Sequence, residues 1–380
     1  MSPADTGIDL EARYFLTKAG ERYCAQSRIP VKDLTTHEGE RASGFEWKRC
    51  KVELLKKLVI YGLLTSIEIS RFEFVSKRSP LIGLTRAMLT GILLKRFRSH
   101  LKLRLREHPA SAEVISDPTV ALTAADRGAL AAALAERSSW ITALRASVEA
   151  ECLAAFSAAP LSGPEEEAER STGMLDLLGA IDDETWLLIA LAGPDLVQPV
   201  SKMIQSYSTR LGIAETLTLM LMEFVQYAER SHLLNMAERD RYVRAHPEEL
   251  DHMLGEPEFR DRLLERAVER GELIFIGISF TGTILDPSAQ TTVEIRVRNR
   301  GLIGYASRTE MVNRRVKMVK ESTLDQILQE QERNDPGAGL GLFYLSNLEE
   351  ACAQEGIVFR TSIQRDEFRD ETTSLMSVTI

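Results

Sequence analysis

Near the C-terminus the chain reads NDPGAGLGLFYLSNLEEAC, with Gly337, Gly339 and Gly341 at every second position before an apolar run. Glycine permits a tight turn and leaves open space beside the backbone. A helix that starts directly after such a turn aims free N–H groups into that space, and a phosphate is the natural occupant. This segment constrains the fold more than any other. It demands a turn and then a helix, packed on something that can hold both.

The rest of the C-terminal half supplies that support. AETLTLMLMEFVQYAERSHLLNMAER (214–239) has helical apolar spacing, and Gly212 before it reads as the stop of a preceding helix, 197–212. A charged helical stretch at about 237–270 reads as an insertion on the surface, ended by Gly271. GELIFIGISFTGTIL and TTVEIRVRNRG predict a strand pair, with Val293, Ile295 and Val297 alternating and a turn at Asp286-Pro287. After the glycines come a helix to about Glu355 and the strands IVFRTSI and SLMSVTI. The fold class is therefore α+β, a C-terminal two-layer sandwich with helices packed on a mixed, mostly antiparallel sheet.

The N-terminal half carries no chemical constellation. A helix is expected from about Phe45 to Leu63, a candidate short strand in SIEISRFEFVS, and a basic helix after Pro80 bearing Arg86, Lys95, Arg96, Arg98, Lys102, Arg104 and Arg106. An alanine-rich helical region covers 124–158. Ser157–Gly173, rich in Pro, Gly and Glu, reads as a linker. The predicted organisation is a mainly helical domain at 1–160, a linker at 161–174 and a C-terminal domain at 175–380.

Composition removes several classes. The formal charge is −9 with a pI near 5.4, which argues against a dedicated nucleic-acid binder. The longest apolar runs, 59–68 and 186–193, fall well short of a bilayer crossing, so no integral membrane segment is expected. Cys24, Cys50, Cys152 and Cys352 are far apart and outside any metal-ligand spacing, as expected for a cytoplasmic protein without a metal site of its own.

In this order of elements the chain resembles the GHKL ATPase superfamily, the ATP-binding domain of gyrase, histidine kinases, MutL and the anti-sigma-factor serine kinases. The resemblance covers about residues 175–380 and runs through four motifs. The first, on the long helix, matches at Glu223, Tyr227, Ala228 and Arg230. Glu223 falls at the general base of the hydrolysing members and Arg230 at a basic position near the phosphates. Tyr227 replaces the Asn that binds Mg²⁺ in the family, which argues against the metal here. A second register puts Asn235 at the Asn position, with Ser231 four residues before it, and ranks lower because the family has an acidic residue or Asn there.

The second motif places Asn299 where the family has an adenine-reading Asp, with Gly301 after it and Ile303 in place of the second Gly. Asn keeps an acceptor oxygen but no charge. The third is the run Gly337, Gly339, Gly341, preceded by a stretch in the position of the ATP lid that carries Arg314, Arg315, Lys317 and Lys320. The fourth is the ending, where Thr373 in Thr372-Thr373 stands for the family's Thr and Glu371 for its Gly.

What this implies is a divergent GHKL-like protein that binds ATP or ADP and acts as a cytoplasmic signalling or regulatory protein through a protein partner, with weak or absent ATP hydrolysis. Homodimerisation through the N-terminal helices is a further expectation. The alternatives are an active Mg-ATP-dependent serine/threonine kinase of the anti-sigma type or an ATPase, with Glu223 catalytic, and an interaction protein with no nucleotide role.

Overall fold

The computed structural model describes residues 7–107, 132, 135–158, 173–181, 183–192, 194–240, 253–254, 256–282, 290–300, 348–366 and 368–380. Residues 161–172 of the linker, the turn at Asp286-Pro287, Gly301, the lid-position residues Arg314, Arg315, Lys317 and Lys320, and Gly337, Gly339 and Gly341 lie outside those residues.

An eight-stranded antiparallel sheet organises the fold, and it draws on both ends of the chain. From the N-terminal part come β2 (Ala12–Leu16), β3 (Lys32–Thr35), β4 (Arg41–Trp47) and β6 (Leu64–Arg71). From the C-terminal part come β7 (Ile274–Thr281), β8 (Thr292–Arg300), β9 (Val358–Asp366) and β10 (Glu371–Thr379). Their order is β3-β4-β2-β6-β7-β8-β10-β9. Two further short strands, β1 (Gly7–Ile8) and β5 (Cys50–Lys51), pair with each other.

The seam between the two halves is β6 against β7, where Ile67 faces Ile278 and Ile69 faces Ile276. All four are fully buried, and the same face continues through Ile295, Val297, Met376 and Val378. Alternation along β8 and β10 puts every second residue on this covered face. The C-terminal strand pair predicted from that alternation is therefore present.

The N-terminal half differs from its sequence reading. Residues 1–160 supply six strands rather than one candidate strand. The expected helix at 45–63 is only Val52–Ile60, because Phe45 belongs to β4 and stacks on Tyr14 with ring centroids 5.0 Å apart. A strand context outweighs the apolar spacing there, since Phe45 fills a fully buried position. Between β2 and the helix Lys18–Gln26, Thr17 caps the first turn by accepting from the Gly20 N–H at 3.1 Å. A Cβ on Gly20 would come within 2.2 Å of the Leu63 carbonyl oxygen, so the glycine permits a close backbone approach.

The two helices predicted at 197–212 and 214–239 are one helix of 43 residues, Val197–Arg239. Gly212 costs the helix about 1 kcal/mol relative to alanine, but Leu211, Ile213 and Ala214 beside it are buried and hold the turn in register. Nor is the charged stretch after it wholly superficial. Helix Pro257–Arg270 buries Phe259, Leu263 and Ala267 against Leu233, Met236 and Ala237 of the long helix. It ends, as expected, at Gly271 in the left-handed region with φ 63°.

By its contacts the chain forms two compact units. The first unites Met1–Met88, Glu215–Thr283 and Gln290–Ile380, and so contains the whole sheet. The second takes Leu89–Ala214 with Ile284–Ala289. It is helical in its described residues, with Ser138–Ala158 and Asp183–Ala192 as separate helices. Inside it Trp186 is buried under the Arg145 guanidinium, 5.3 Å from the ring centroid, and the Cys152 thiol donates to the Ser201 carbonyl at 3.7 Å. Lys95, Arg96 and Arg98 of the basic helix Arg78–Glu107 are half-buried, and burial lowers the Lys95 pKa. Among the described residues no helix is long and apolar enough to cross a membrane.

Candidate functional site at the end of β8

All the groups in this site belong to the unit that holds the sheet. Strand β8 ends in Arg298, Asn299 and Arg300, just before the chain enters the lid-position segment. Asn299 is buried on the covered face, and its side-chain amide donates to the Arg300 carbonyl at 2.9 Å. The amide nitrogen is thereby engaged, and the acceptor end of the group is the carbonyl oxygen.

Directly opposite Asn299 on β10 is Thr372, which is fully buried. Thr373 instead faces Arg298 on the other side of the sheet. There Arg298 lies 5.2 Å from the centroid of the Phe275 ring and 3.8 Å from Glu371. The structure thus joins Asn299 to Thr372, and sets Thr373 on the opposite face. Strand parity was the available signal: counting back by twos from Val378 and Met376 reaches Thr372.

The end of the long helix meets the end of β8 through a charged group that the sequence reading missed. Arg239 makes a two-pronged ion pair with the buried carboxylate of Glu272, at 3.0 and 2.6 Å, and Arg300 approaches the same carboxylate at 3.8 Å. These partners outweigh burial and hold the Glu272 pKa below its ordinary value. His232 is fully buried, with the backbone of Arg300 and Glu272 next to its ring. Burial lowers its pKa, partly opposed by the Glu272 carboxylate and by the Arg300 and Glu272 backbone beside the ring.

Glu223, Tyr227 and Arg230 form a single stripe on the long helix, four and then three residues apart. At about 3.6 residues per turn, that stripe stands about 140–180° around the axis from His232. Asn235 and Arg239 lie within about 60° of His232 on the same count. The side of the helix turned to the end of β8 therefore carries His232, Asn235 and Arg239. The first-motif residues point away from it, and all three are half-buried.

Burial drives the Glu223 pKa up to about 7, partly opposed by Arg78. Glu229, on the core side of the same helix, is buried in an ion pair with Arg260. Burial raises its pKa as well, and Arg260 opposes the rise. That pair ties helix Pro257–Arg270 to the long helix alongside their shared apolar contact.

A family model described as "Family of unknown function (DUF8084)" matches residues 4–380. The chain belongs to this family. The DUF8084 match takes in every strand of the sheet described above, so both sides of the β6–β7 seam fall within one family unit. An uncharacterized protein of Treponema pallidum (strain Nichols) is 21% identical over 374 residues, with 94% of each chain covered. No solved structure matches.

Proposed function

We propose that this DUF8084 protein is a divergent GHKL-like regulatory protein that retains the base-binding end of a purine-nucleotide pocket and acts through protein contacts, with weak or absent ATP hydrolysis. The observation that carries this reading is the cross-strand pair Asn299–Thr372. It puts an amide and a hydroxyl side by side on the covered face, at the strand end where the resemblance expects a nucleotide base.

The order of elements supports the same reading. A long helix, two strands ending at Asn299, a glycine run, a helix and two closing strands follow one another in the expected sequence. The residues also suit the ligand. With its Nδ2 donated to Arg300, Asn299 offers its carbonyl oxygen, the acceptor that an exocyclic amino group of a purine requires. Thr372 adds a hydroxyl that can donate or accept. A bound nucleoside triphosphate would supply the reactive phosphoryl group; the chain's own part at this end is to hold and orient the base.

Weak or absent hydrolysis follows from the stripe of Glu223, Tyr227 and Arg230 being turned from Asn299. Phosphoryl transfer depends on positioning and on charge neutralisation, and neither is supplied at this strand end by that stripe. A second reading, the active kinase or ATPase, rests on Glu223, whose pKa near 7 is what a general base at neutral pH needs.

The test is titration of the full chain with fluorescent purine nucleotides, with and without Mg²⁺. Saturable binding weakened at least tenfold by Asn299→Ala, with little dependence on Mg²⁺, is expected. Absence of binding at millimolar nucleotide would leave the interaction-protein reading standing. Mg²⁺-dependent turnover abolished by Glu223→Ala would favour the enzyme.

A further inference from the structure

Among the described residues, Asn235 Oδ1 and Arg365 Nε are buried with no hydrogen-bond partner, and the buried His232 ring lies against the backbone of Arg300 and Glu272. Buried polar groups are nearly always paired, so a group of unpaired ones calls for an explanation.

Arg365 on β9 is directly opposite Thr372, and Thr372 is directly opposite Asn299. Residues opposed across strands share a face, so Asn299, Thr372 and Arg365 form one row on the covered side. At about 4.8 Å per strand the row is roughly 10 Å from end to end, wide enough for a purine. Next to it, by the backbone of Arg300, is His232, with Asn235 on the same side of the helix. An acceptor at one end of the row (Asn299 Oδ1) and an unpaired cationic donor at the other (Arg365 Nε) define the polarity of what fits.

We propose that the base taken by this pocket is a 6-oxopurine of the guanine class, with Arg365 as the residue that selects it. The inference rests on the nucleotide reading of the Asn299 end. Guanidinium donors suit the O6 and N7 acceptors of guanine, which is their preferred partner among the bases. Asn299 Oδ1 then accepts from the ring N–H or the amino group on the opposite edge. Adenine carries an amino group in place of O6, so it would set donor against donor at Arg365, leave only N7 to accept there, and offer Asn299 Oδ1 no N–H on the opposite edge. His232 and Asn235 are left for the remaining polar groups of the nucleoside.

The experiment compares N-methylanthraniloyl-GDP with the ADP analogue on the full chain, each displaced by its unlabelled nucleotide. Binding of the GDP probe should be about tenfold tighter or more. Arg365→Met, which keeps the stem and removes the donors, should bring the two probes to parity by weakening GDP alone. Arg365→Lys should also lose most of the preference, because the planar fork is gone. Far-UV circular dichroism and the melting temperature confirm that each variant is folded, and the Lys variant serves if the Met variant is not. Equal or tighter binding of the ADP probe by the native chain overturns the inference while leaving the pocket. So does a GDP preference that survives both substitutions. If neither probe binds at millimolar concentration, the nucleotide reading itself fails and this inference goes with it.

Discussion

Thr372 faces Asn299 across β10 and β8 on the covered side of the sheet, while its neighbour Thr373 faces Arg298 on the other side. Two adjacent, chemically identical residues therefore have different surroundings, and the difference can be measured.

Thr372→Val should weaken purine-nucleotide binding, by about tenfold if one hydrogen bond is lost. Thr373→Val should leave affinity within about twofold, since its side chain is on the far face. Fluorescence titration of the two variants decides between them. Equal effects, or a larger one at Thr373, would count against the site as drawn.

Glu223 carries a pH signature. Its folded-state pKa, about 7, is above the ordinary value of 4.5, so the folded chain holds a proton that the unfolded chain gives up earlier. Stability from this group is complete below about pH 4.5 and declines as pH rises towards 7. Glu223→Gln should therefore melt with the native protein near pH 4.5, and be more stable at pH 8 by on the order of 1 kcal/mol once partial exposure is allowed for. Thermal melts across this range check the sign.

Removing Arg260 leaves the Glu229 carboxylate buried without its partner. Arg260→Met should cost about 2–3 kcal/mol, at the lower end for a broken buried pair because Arg260 keeps some solvent contact. Adding Glu229→Gln should recover part of the loss. Chemical denaturation of the two single variants and the double variant gives the coupling. Additive effects would show that the pair does not tie the two helices together.

Gly212 offers a test of helix continuity. Nothing lies within 4 Å of a Cβ built on it, and it is inside an unbroken helix. Gly212→Ala should stabilise the protein by about 1 kcal/mol. A glycine that ended a helix in the left-handed conformation would respond the other way.

What the sequence disclosed followed from local periodicity. The alternation Val293, Ile295, Val297 was enough to place β8, and Gly271 was enough to end a helix, because both signals act within a few residues. Gly212 sent the same local signal and was overruled by the buried neighbours Leu211 and Ile213. Phe45 looked helical by spacing, but its environment is set by Tyr14, more than a helix-length away in sequence. At the site, Asn299 was found as the end of a strand. Parity with Met376 and Val378 was enough to put Thr372 on the covered face, but not to pair it with Asn299, because register is fixed only when β10 meets β8. Arg365 and Glu272 were invisible for the same reason: each gains meaning from groups on other elements.

The β6–β7 seam has a consequence for how the chain reaches its native state. Ile69 and Ile276 are neighbours in the sheet, yet about two hundred residues must be synthesised between them. Until then β6 presents a free strand edge with Ile67 and Ile69 uncovered, the kind of surface on which chains pair wrongly. Contacts so distant in sequence also carry a large loop-closure cost and slow assembly. A nascent chain stalled before residue 274 should therefore expose a sticky half-sheet and pair with other chains through that edge.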